Sequence, residues 1–140
     1  MIYLLDSNAC IMYLRTPLSA VGRRLVRQQP GDIALCAVVK AELIYGAAHS
    51  TRPQEQLTRL EHFFQPYASL PFDDAAATIA GQVRADLATR GTPIGLHDLQ
   101  IAAIALAHDL TLVTHNVREF SRVNGLRIED WERDDTASDA

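Results

Sequence analysis

Short apolar runs alternate with longer amphipathic segments along this chain of 140 residues. Each run is three to five residues long with little polar alternation, which is typical of strands buried on both faces of a parallel sheet. The predicted strands are Ile2–Leu5, Ile33–Cys36, Ala68–Leu70, Leu110–Thr114 and Leu126–Ile128.

The segments between these runs have helical periodicity. The predicted helices are Ala9–Leu14, Leu18–Gln28, Val38–Ala47, Pro53–Phe64, Asp73–Arg90 and Asp98–Ala107. In the second of them, Val21, Leu25 and Val26 form an apolar side opposite a group of arginines. Asp73 or Asp74 is expected to cap the longest helix, which Gly91 should end. The last helix is apolar on nearly all sides and should be buried.

Strands that alternate with helices predict a parallel α/β sheet whose right-handed crossovers cover both faces with helices. The chain length fits one domain, and neither a repeat nor a linker interrupts it. We therefore expect a single domain over residues 1–131 and an acidic, flexible tail over residues 132–140. In such folds the ligand site lies beyond the carboxyl ends of the strands, where the strand order reverses.

Composition narrows the class of protein. The chain is 48% hydrophobic, which excludes a wholly disordered chain, and no apolar run is long enough to predict a membrane span. The first residues carry no basic segment of a secretory signal, so a cytoplasmic protein is expected. Cys10 and Cys36 are too few for a disulfide framework or a structural zinc site, so both thiols should be reduced.

The net charge of −4 argues against nucleic acid as a partner until its distribution is considered. Residues 129–140 hold six acids and one base, so the remainder of the chain carries a charge of +1. Arg23, Arg24 and Arg27 cluster in one predicted helix. They fit either a solvated helix face or a surface that binds phosphates.

Acidic side chains occur where the predicted sheet would end. Asp6 directly follows the first strand; it could cap the next helix, although Ser7 and Asn8 could do so as well. Glu42 lies early in the helix after the second strand, where a helix dipole would also favour it. Asp98 opens the buried helix and could be its cap.

Two further polar residues follow the fourth strand. Asn116 offers an amide at the same edge of the sheet, and Glu119 lies one helical turn beyond it, either close to the same region or in solvent.

Convergence of Asp6, Glu42 and Asp98 at one edge would place like charges together, which raises their pKa values and destabilises a fold. Mg²⁺ or Mn²⁺ relieves that repulsion by binding carboxylate oxygens and retaining several waters. This is the chemistry of metal-dependent phosphodiester hydrolysis. Spacing alone leaves open that the three acids are independent helix caps.

Four motifs, in order, resemble those of PIN-domain ribonucleases, specifically the VapC toxins of bacterial toxin–antitoxin pairs. They are Tyr3-Leu-Leu-Asp6-Ser-Asn8; Ala41-Glu42-Leu-Ile-Tyr-Gly46; Gly91-Thr-Pro-Ile-Gly95 with Asp98 and Ile101-Ala-Ala103; and Val113-Thr-His-Asn116-Val-Arg-Glu-Phe120 running into Gly125-Leu-Arg-Ile-Glu-Asp-Trp131. Each motif alone is weak, but the ordered set covers residues 2–131.

The resemblance implies a three-layer α/β/α sandwich with a central parallel sheet of four or five strands. It implies an endoribonuclease that depends on Mg²⁺, with Mn²⁺ as an alternative, in which Asp6 and Asp98 hold the metal. Glu42 would ligate the metal or orient the attacking water, and Asn116 would position water or the scissile phosphate. Many relatives carry a fourth acid where this chain has Asn116, which leaves the number of metals open; Glu119 could substitute.

The same resemblance implies three partners. The first is an RNA substrate, with a tRNA expected, bound by basic side chains such as Arg15, Arg23, Arg24, Arg27 and Lys40. The second is a VapB-type antitoxin laid in an apolar groove, for which helices Ala9–Leu14 and Pro53–Phe64 are candidates, with Leu57, Leu60, Phe63 and Phe64 as walls or as ordinary core. The third is a second copy of the chain in a homodimer.

Other α/β families with acids at the sheet edge fit less well. A receiver domain needs a lysine after its fifth strand, and Lys40 is the chain's one lysine. A haloacid-dehalogenase phosphatase needs an acid where Asn8 stands, and the glycine-rich dinucleotide fingerprint is absent. The alternative that stays open is a catalytically inactive PIN domain that only binds RNA or protein.

Overall fold

A five-stranded parallel sheet forms the centre of the molecule in the computed structural model, which describes residues 1–133. The strands are β1 (Tyr3–Leu5), β2 (Ile33–Cys36), β3 (Ala68–Leu70), β4 (Thr111–Val113) and β5 (Ile128–Glu129). Their spatial order is β3-β2-β1-β4-β5, and every neighbouring pair is parallel. The predicted three-layer α/β fold is confirmed.

Helices cover the two faces of this sheet. They are α1 (Ser7–Arg15), α2 (Ala20–Val26), α3 (Ala37–Ala48), α4 (Pro53–Phe64), α5 (Asp74–Thr89), α6 (Leu96–Ala107) and α7 (Val117–Phe120), with a short 3₁₀ turn at Pro30–Asp32. The four-residue helix α7 was not predicted, because it is too short to produce a periodic pattern. Across residues 1–133, no helix is long and apolar enough to cross a membrane.

The strand order reverses between β1 and β4. From β1 the chain moves outward to β2 and β3, and it then returns to place β4 on the other side of β1. Backbone hydrogen bonds join the two strands in register, with Tyr3 opposite Thr111 and Leu5 opposite Val113. Residues that follow β1 and β4 therefore meet at the switch point, where parallel α/β sheets hold their ligands.

The sheet and α6 form the core. Leu4, Leu5, Ile33–Cys36 and Leu112 are fully buried or nearly so, and the α6 residues Ile101–Ala105 are also buried, as predicted for an all-apolar helix. Trp131 closes the far edge, with its ring edge-on to Tyr3 at 5.0 Å. The end of the described chain is thus part of the packed domain.

Three predicted boundaries are wrong in detail. The fifth strand is Ile128–Glu129 rather than Leu126–Ile128. Ile128 pairs with Leu112, whereas the Leu126 N–H donates to the Val123 carbonyl oxygen in a turn before the strand. Val26 is 67% exposed, since it ends the two-turn helix α2, while Val21 and Leu25 face the core.

The third difference concerns α6, which begins at Leu96 instead of Asp98. Gly95 has extended backbone and is the N-cap, so Asp98 is not the cap but lies in the first turn. Leu96 is 58% exposed, and for this reason the apolar pattern of the helix starts later than the helix itself. The predicted tail over residues 132–140 mostly lies outside the described residues.

Gly22 allows α2 to lie against the preceding turn. A Cβ atom at this position would stand 2.0 Å from the carbonyl oxygen of Pro17, a backbone atom that cannot turn aside. We expect Gly22→Ala to lower the free energy of unfolding by about 1–3 kcal/mol or more. Gly81→Ala in α5 is the matched control: nothing lies within 4 Å of its Cβ, so it should raise stability by about 0.5–1 kcal/mol. Urea denaturation of both variants tests this, and equal effects would contradict it.

Candidate active site

Asp6 lies at the switch point, directly after β1. It is the N-cap of α1, where the Ala9 N–H donates to Asp6 Oδ1 at 2.8 Å. The expectation that Ser7 or Asn8 could take over the cap is therefore wrong, since the carboxylate itself serves as the cap. Asp6 is only 4% exposed, and the hydroxyl of Thr114, after β4, also hydrogen-bonds to it. The side chain thus joins the two central strands.

Burial raises the pKa of Asp6 from its ordinary value of 3.8 to about 6. The hydrogen bonds from Thr114 and Ala9 oppose this shift, because they stabilise the ionised form. The negative charges of Glu132 and Glu42 add to it. Ionisation of Asp6 in this buried position therefore costs free energy, while the hydrogen bonds from Thr114 and Ala9 hold the carboxylate in place.

Asp98 faces the same point from the first turn of α6. Its pKa is raised to about 6 by burial, by the charge of Glu119 and a hydrogen bond to Glu119, and by the charges of Asp6 and Glu42. The charge of Glu42 acts on both Asp6 and Asp98, and the charge of Asp6 acts on Asp98, so these three carboxylates lie within electrostatic reach of one another. The structure therefore brings together the three acids that the sequence singled out.

Glu42 lies in the second turn of α3, one turn later than an early helical position would have it. Its side chain is 34% exposed, and Oε1 lies 3.7 Å from Nδ1 of His97. Glu42 is thus partly open to solvent, which suits a group that acts on a water molecule.

Asn116 and Glu119 complete the cluster. The Asn116 amide donates to Glu119 Oε2 at 2.7 Å, and the Gly95 N–H donates to Glu119 Oε1 at 3.0 Å. Burial acts to raise the pKa of Glu119, but the hydrogen bonds from Gly95, Asn116 and Asp98 outweigh it and lower the pKa. Asp98 therefore holds a proton more readily than Glu119 does. Of the two positions left open for Glu119, near the cluster or in solvent, the structure shows the first.

Four residues near the cluster escaped the sequence analysis as site residues. Thr114 bonds to Asp6 and accepts from the Asn116 N–H at 3.0 Å. Nearby, Nδ1 of His115 lies 3.1 Å from Asp130 Oδ2 and 3.6 Å from Glu132 Oε2. Glu132 was expected in the flexible tail and Asp130 had no predicted role in the site, and the pairing of β4 with β5 brings both here.

The donor set of the acidic cluster fits a hard divalent cation. Carboxylate oxygens are the ligands that Mg²⁺ and Mn²⁺ prefer, and one or two carboxylates suffice because these ions keep several waters. The strongest charge effects on Asp6 and Asp98 come from other carboxylates, so the cluster is rich in negative charge. A bound cation would relieve this repulsion.

Within residues 1–133, one group brings three ligand atoms within 4.8 Å of one another, namely His115, Asp130 and Glu132. Ion pairing of the histidine with both carboxylates accounts for this group without a metal. The site at Asp6 and Asp98 differs because Asp6 is buried and Asp98 is half-buried, and burial raises the pKa of both carboxylates.

An elongated groove leads away from the cluster between α1, α3 and α4. Its volume is about 470 Å³, and Glu42 forms part of its wall. The groove was predicted between α1 and α4 alone. In the structure α3 also contributes to its wall, with Leu43, Gly46 and Ala47. Of the four predicted wall residues, only Leu60 lines it. Phe63, in contrast, packs against Tyr13 and Tyr67, whose ring centroids lie 5.6 and 5.7 Å away.

The predicted basic residues have different surroundings. Arg15 lines the groove. Arg24 donates to Glu129 at 2.9 Å and lies over the Trp131 ring at 5.2 Å, so it holds the end of the domain in place. Lys40 lies 4.7 Å from the centroid of the Phe64 ring. Arg15 is thus the predicted phosphate contact nearest to the acidic cluster.

Comparison with known proteins agrees with this architecture. Residues 3–126 match the family model described as the PIN domain. A Shigella flexneri protein named tRNA(fMet)-specific endonuclease VapC is 43% identical over 129 residues, which are 92% of this chain and 97% of that protein. A Haemophilus influenzae protein named Ribonuclease VapC2 is 36% identical over 92% of this chain and 97% of its own length.

Solved structures give the same result. The structure titled as DNA-bound VapBC from Salmonella typhimurium superimposes with a TM-score of 0.88 at 37% identity, and the match covers 94% of this chain and 98% of the other. VapBC2 from Rickettsia felis, bound to a DNA fragment from its promoter, superimposes with a TM-score of 0.85 at 31% identity, covering 94% of this chain and 99% of the other.

Proposed function

The chain belongs to the PIN-domain family, and from this premise we propose that it is the toxin of a VapBC-type toxin–antitoxin pair and a metal-dependent endoribonuclease. The relatives named endonuclease or ribonuclease VapC match over nearly their whole length, so the proposal concerns the entire activity. The specific metal that we propose is Mg²⁺, with Mn²⁺ as a substitute.

The observation that carries the proposal is the convergence of Asp6, Glu42 and Asp98 at the switch point of the sheet. Burial raises the pKa of Asp6 and of Asp98 to about 6, and the negative charge of Glu42 adds to both shifts. Carboxylates that repel one another at the ligand-binding edge of a sheet are typical of a site that binds a cation.

We assign the roles from position and burial. Asp6 and Asp98 would hold the cation, which when bound supplies Lewis acidity toward a phosphate oxygen and lowers the pKa of water. Glu42, whose side chain is 34% exposed, accepts the proton of the attacking water. Asn116 is fixed by Glu119 and orients the scissile phosphate. Thr114 holds Asp6 toward the site through its hydroxyl.

A tRNA is the proposed substrate, and initiator tRNA is the first to test, because a relative at 43% identity is named tRNA(fMet)-specific. Single-stranded loops are the parts of an RNA whose bases and phosphates are open to such a cleft. Hydrolysis breaks the phosphodiester bond and leaves a phosphate on one product and a hydroxyl on the other.

The groove between α1, α3 and α4 is the proposed seat of the antitoxin. Its walls are largely apolar and include Glu42, and its volume of about 470 Å³ suits a short segment of a partner chain. A basic side chain from that segment would be attracted to the acidic cluster. Related toxins have been solved in complex with their antitoxins, which supports this partner. A homodimer remains a prediction.

Incubation of the purified, antitoxin-free protein with initiator tRNA and with total bacterial RNA tests the proposal. We expect discrete cleavage with Mg²⁺ or Mn²⁺, none with EDTA, and a loss of about 100-fold or more in Asp98→Asn, because that variant lacks one metal-binding carboxylate. Arg84→Gln, on the exposed surface of α5, is the matched control and should cleave normally.

Two results would contradict the proposal. Equal cleavage by the wild type and Asp98→Asn would place the activity elsewhere or in a contaminant. RNA or antitoxin binding with no cleavage under any metal would favour the catalytically inactive PIN domain.

A further inference from the structure

A second cavity lies beside the acidic cluster, on the opposite side of α1 from most of the groove. Its volume is about 400 Å³. It is lined by Asn8, Ile11, Met12, Arg15, His115, Asn116 and Glu132. The cavity reaches the proposed reaction centre directly, because Asn116 belongs to both and because the charge of Glu132 acts on Asp6.

We propose that this cavity is a subsite for one unstacked nucleobase of the substrate RNA, next to the bond that is cut, with His115 as the ring on which that base stacks. The inference rests on the proposed function and deepens it, since it names the residues that select the nucleotide beside the cleavage site.

The chemistry of the walls favours a base over a phosphate. Met12 and Ile11 provide apolar surface, while the side-chain amide of Asn8 offers the donor and acceptor pair that reads base edges. Glu132 carries negative charge into the cavity and would repel a phosphate, whereas a neutral base carries no such penalty. The volume exceeds what one base requires, so the cavity accommodates it together with water.

His115 is held in place as a stacking platform. Its Nδ1 lies 3.3 and 3.1 Å from the two oxygens of Asp130 and 3.6 Å from Glu132. Asp130 is itself fixed, since its side chain is only 10% exposed and Oδ1 accepts from the Glu132 N–H at 3.0 Å. The imidazole is 61% exposed, so a fixed aromatic ring is presented to an incoming ligand. Bases of single-stranded RNA stack on such rings.

Arg15 fits the same picture from the other wall. It is exposed at the end of α1 and lines both the cavity and the antitoxin groove. Its guanidinium is a donor for a base edge or a flanking phosphate. An antitoxin seated in the groove would also contact Asn8, Ile11 and Arg15, which predicts competition with the base.

The test compares intact and abasic RNA in a binding assay. The cut in initiator tRNA is mapped first, and hairpins that span it are then made intact or with an abasic site at either flanking nucleotide. Fluorescence anisotropy with Asp98→Asn as the background measures binding without cleavage. We expect His115→Ala to weaken binding of the intact hairpin by about 10-fold, and to leave unchanged the binding of one of the two abasic hairpins.

His115→Phe is the matched variant, because it keeps an aromatic ring and loses the ion pairs. It should bind the intact hairpin within about 2-fold of the background protein if stacking on the ring is the main contribution. His115 is mostly exposed, so neither variant should disturb the fold, and thermal unfolding checks this.

Several outcomes would overturn the inference. Unchanged binding in His115→Ala would do so, as would equal losses for the intact and both abasic hairpins, which would indicate a backbone contact. Weaker binding of the antitoxin with unchanged RNA affinity would assign the cavity to the protein interface. Failure of the nuclease proposal gives a different result, because the wild-type protein would then not cleave tRNA. The same cleavage assay is therefore run on the wild type and on the chain that carries His115→Ala alone.

Discussion

Asp6→Asn is expected to abolish RNA cleavage and, at the same time, to stabilise the metal-free protein at neutral pH. Activity should fall by about 100-fold or more, since the variant loses a buried metal-binding carboxylate. Stability should rise by roughly 2–3 kcal/mol, which corresponds to a pKa raised from 3.8 to about 6 in a side chain that is almost fully buried. The asparagine oxygen still accepts from the Ala9 N–H, so the helix cap is retained.

The pH dependence of stability follows from the same shift. Between pH 3.8 and about 6, the folded protein holds a proton on Asp6 that the unfolded chain has lost. The folded state therefore binds more protons, and stability falls as the pH rises through this window and stays low above it. Asp98, whose pKa is also raised, acts in the same direction. Chemical denaturation at pH 4.5 and 7 measures this, and Asp6→Asn should flatten the profile.

Asp73→Asn is the control for this prediction. Asp73 is also an N-cap, with the Ala76 N–H donating to it at 3.1 Å, but it is exposed and lies at the start of α5. Its replacement should change stability by no more than about 0.5 kcal/mol and leave cleavage intact. A loss of stability in Asp6→Asn would contradict the prediction, because it would show that the buried carboxylate stabilises the folded protein.

A divalent cation should stabilise the wild-type protein and fail to stabilise the variants of the acidic cluster. At a Mn²⁺ concentration 100 times the dissociation constant, the gain is about 2.7 kcal/mol. Asp6→Asn and Asp98→Asn should lose most of it, whereas His115→Ala should keep it, because His115 lies outside the proposed metal site. Differential scanning calorimetry with and without Mn²⁺ measures the gain.

Metal affinity should also decrease as the pH falls through 6. Asp6 and Asp98 must release their protons to bind a cation, and both have a pKa of about 6. Titration calorimetry at pH 7.5 and 5.5 should therefore give weaker binding and greater proton release at the lower pH. Affinity that is independent of pH, or stabilisation lost in His115→Ala, would indicate that the cation binds elsewhere.

The central strands and three of the acids could be predicted from the sequence, because each signal is local. A carboxylate directly after a buried run, as at Asp6, marks the end of a strand whatever the rest of the chain does. The parallel arrangement then sends Asp6 and the residues after β4 to one edge. The sequence did not indicate which side chains would contact each acid.

The missed contributions are those that depend on long-range pairing or on very short elements. Glu119 reaches Gly95 and Asn116 only because the four-residue helix α7 turns it back toward α6. Glu132 reaches His115 and influences Asp6 because β5 pairs with β4, which no local pattern indicated. Asp98 was misplaced by two residues within its helix because the exposed Leu96 conceals where that helix begins.

A crystal structure of the protein grown with Mn²⁺, with an anomalous difference map at a wavelength where manganese scatters, tests the central claim most directly. We expect a manganese peak coordinated by carboxylate oxygens of Asp6 and Asp98, and no such peak in Asp98→Asn crystals. A peak between His115, Asp130 and Glu132 in place of that site, or no manganese at Asp6 and Asp98 at a saturating concentration and neutral pH, would contradict the account.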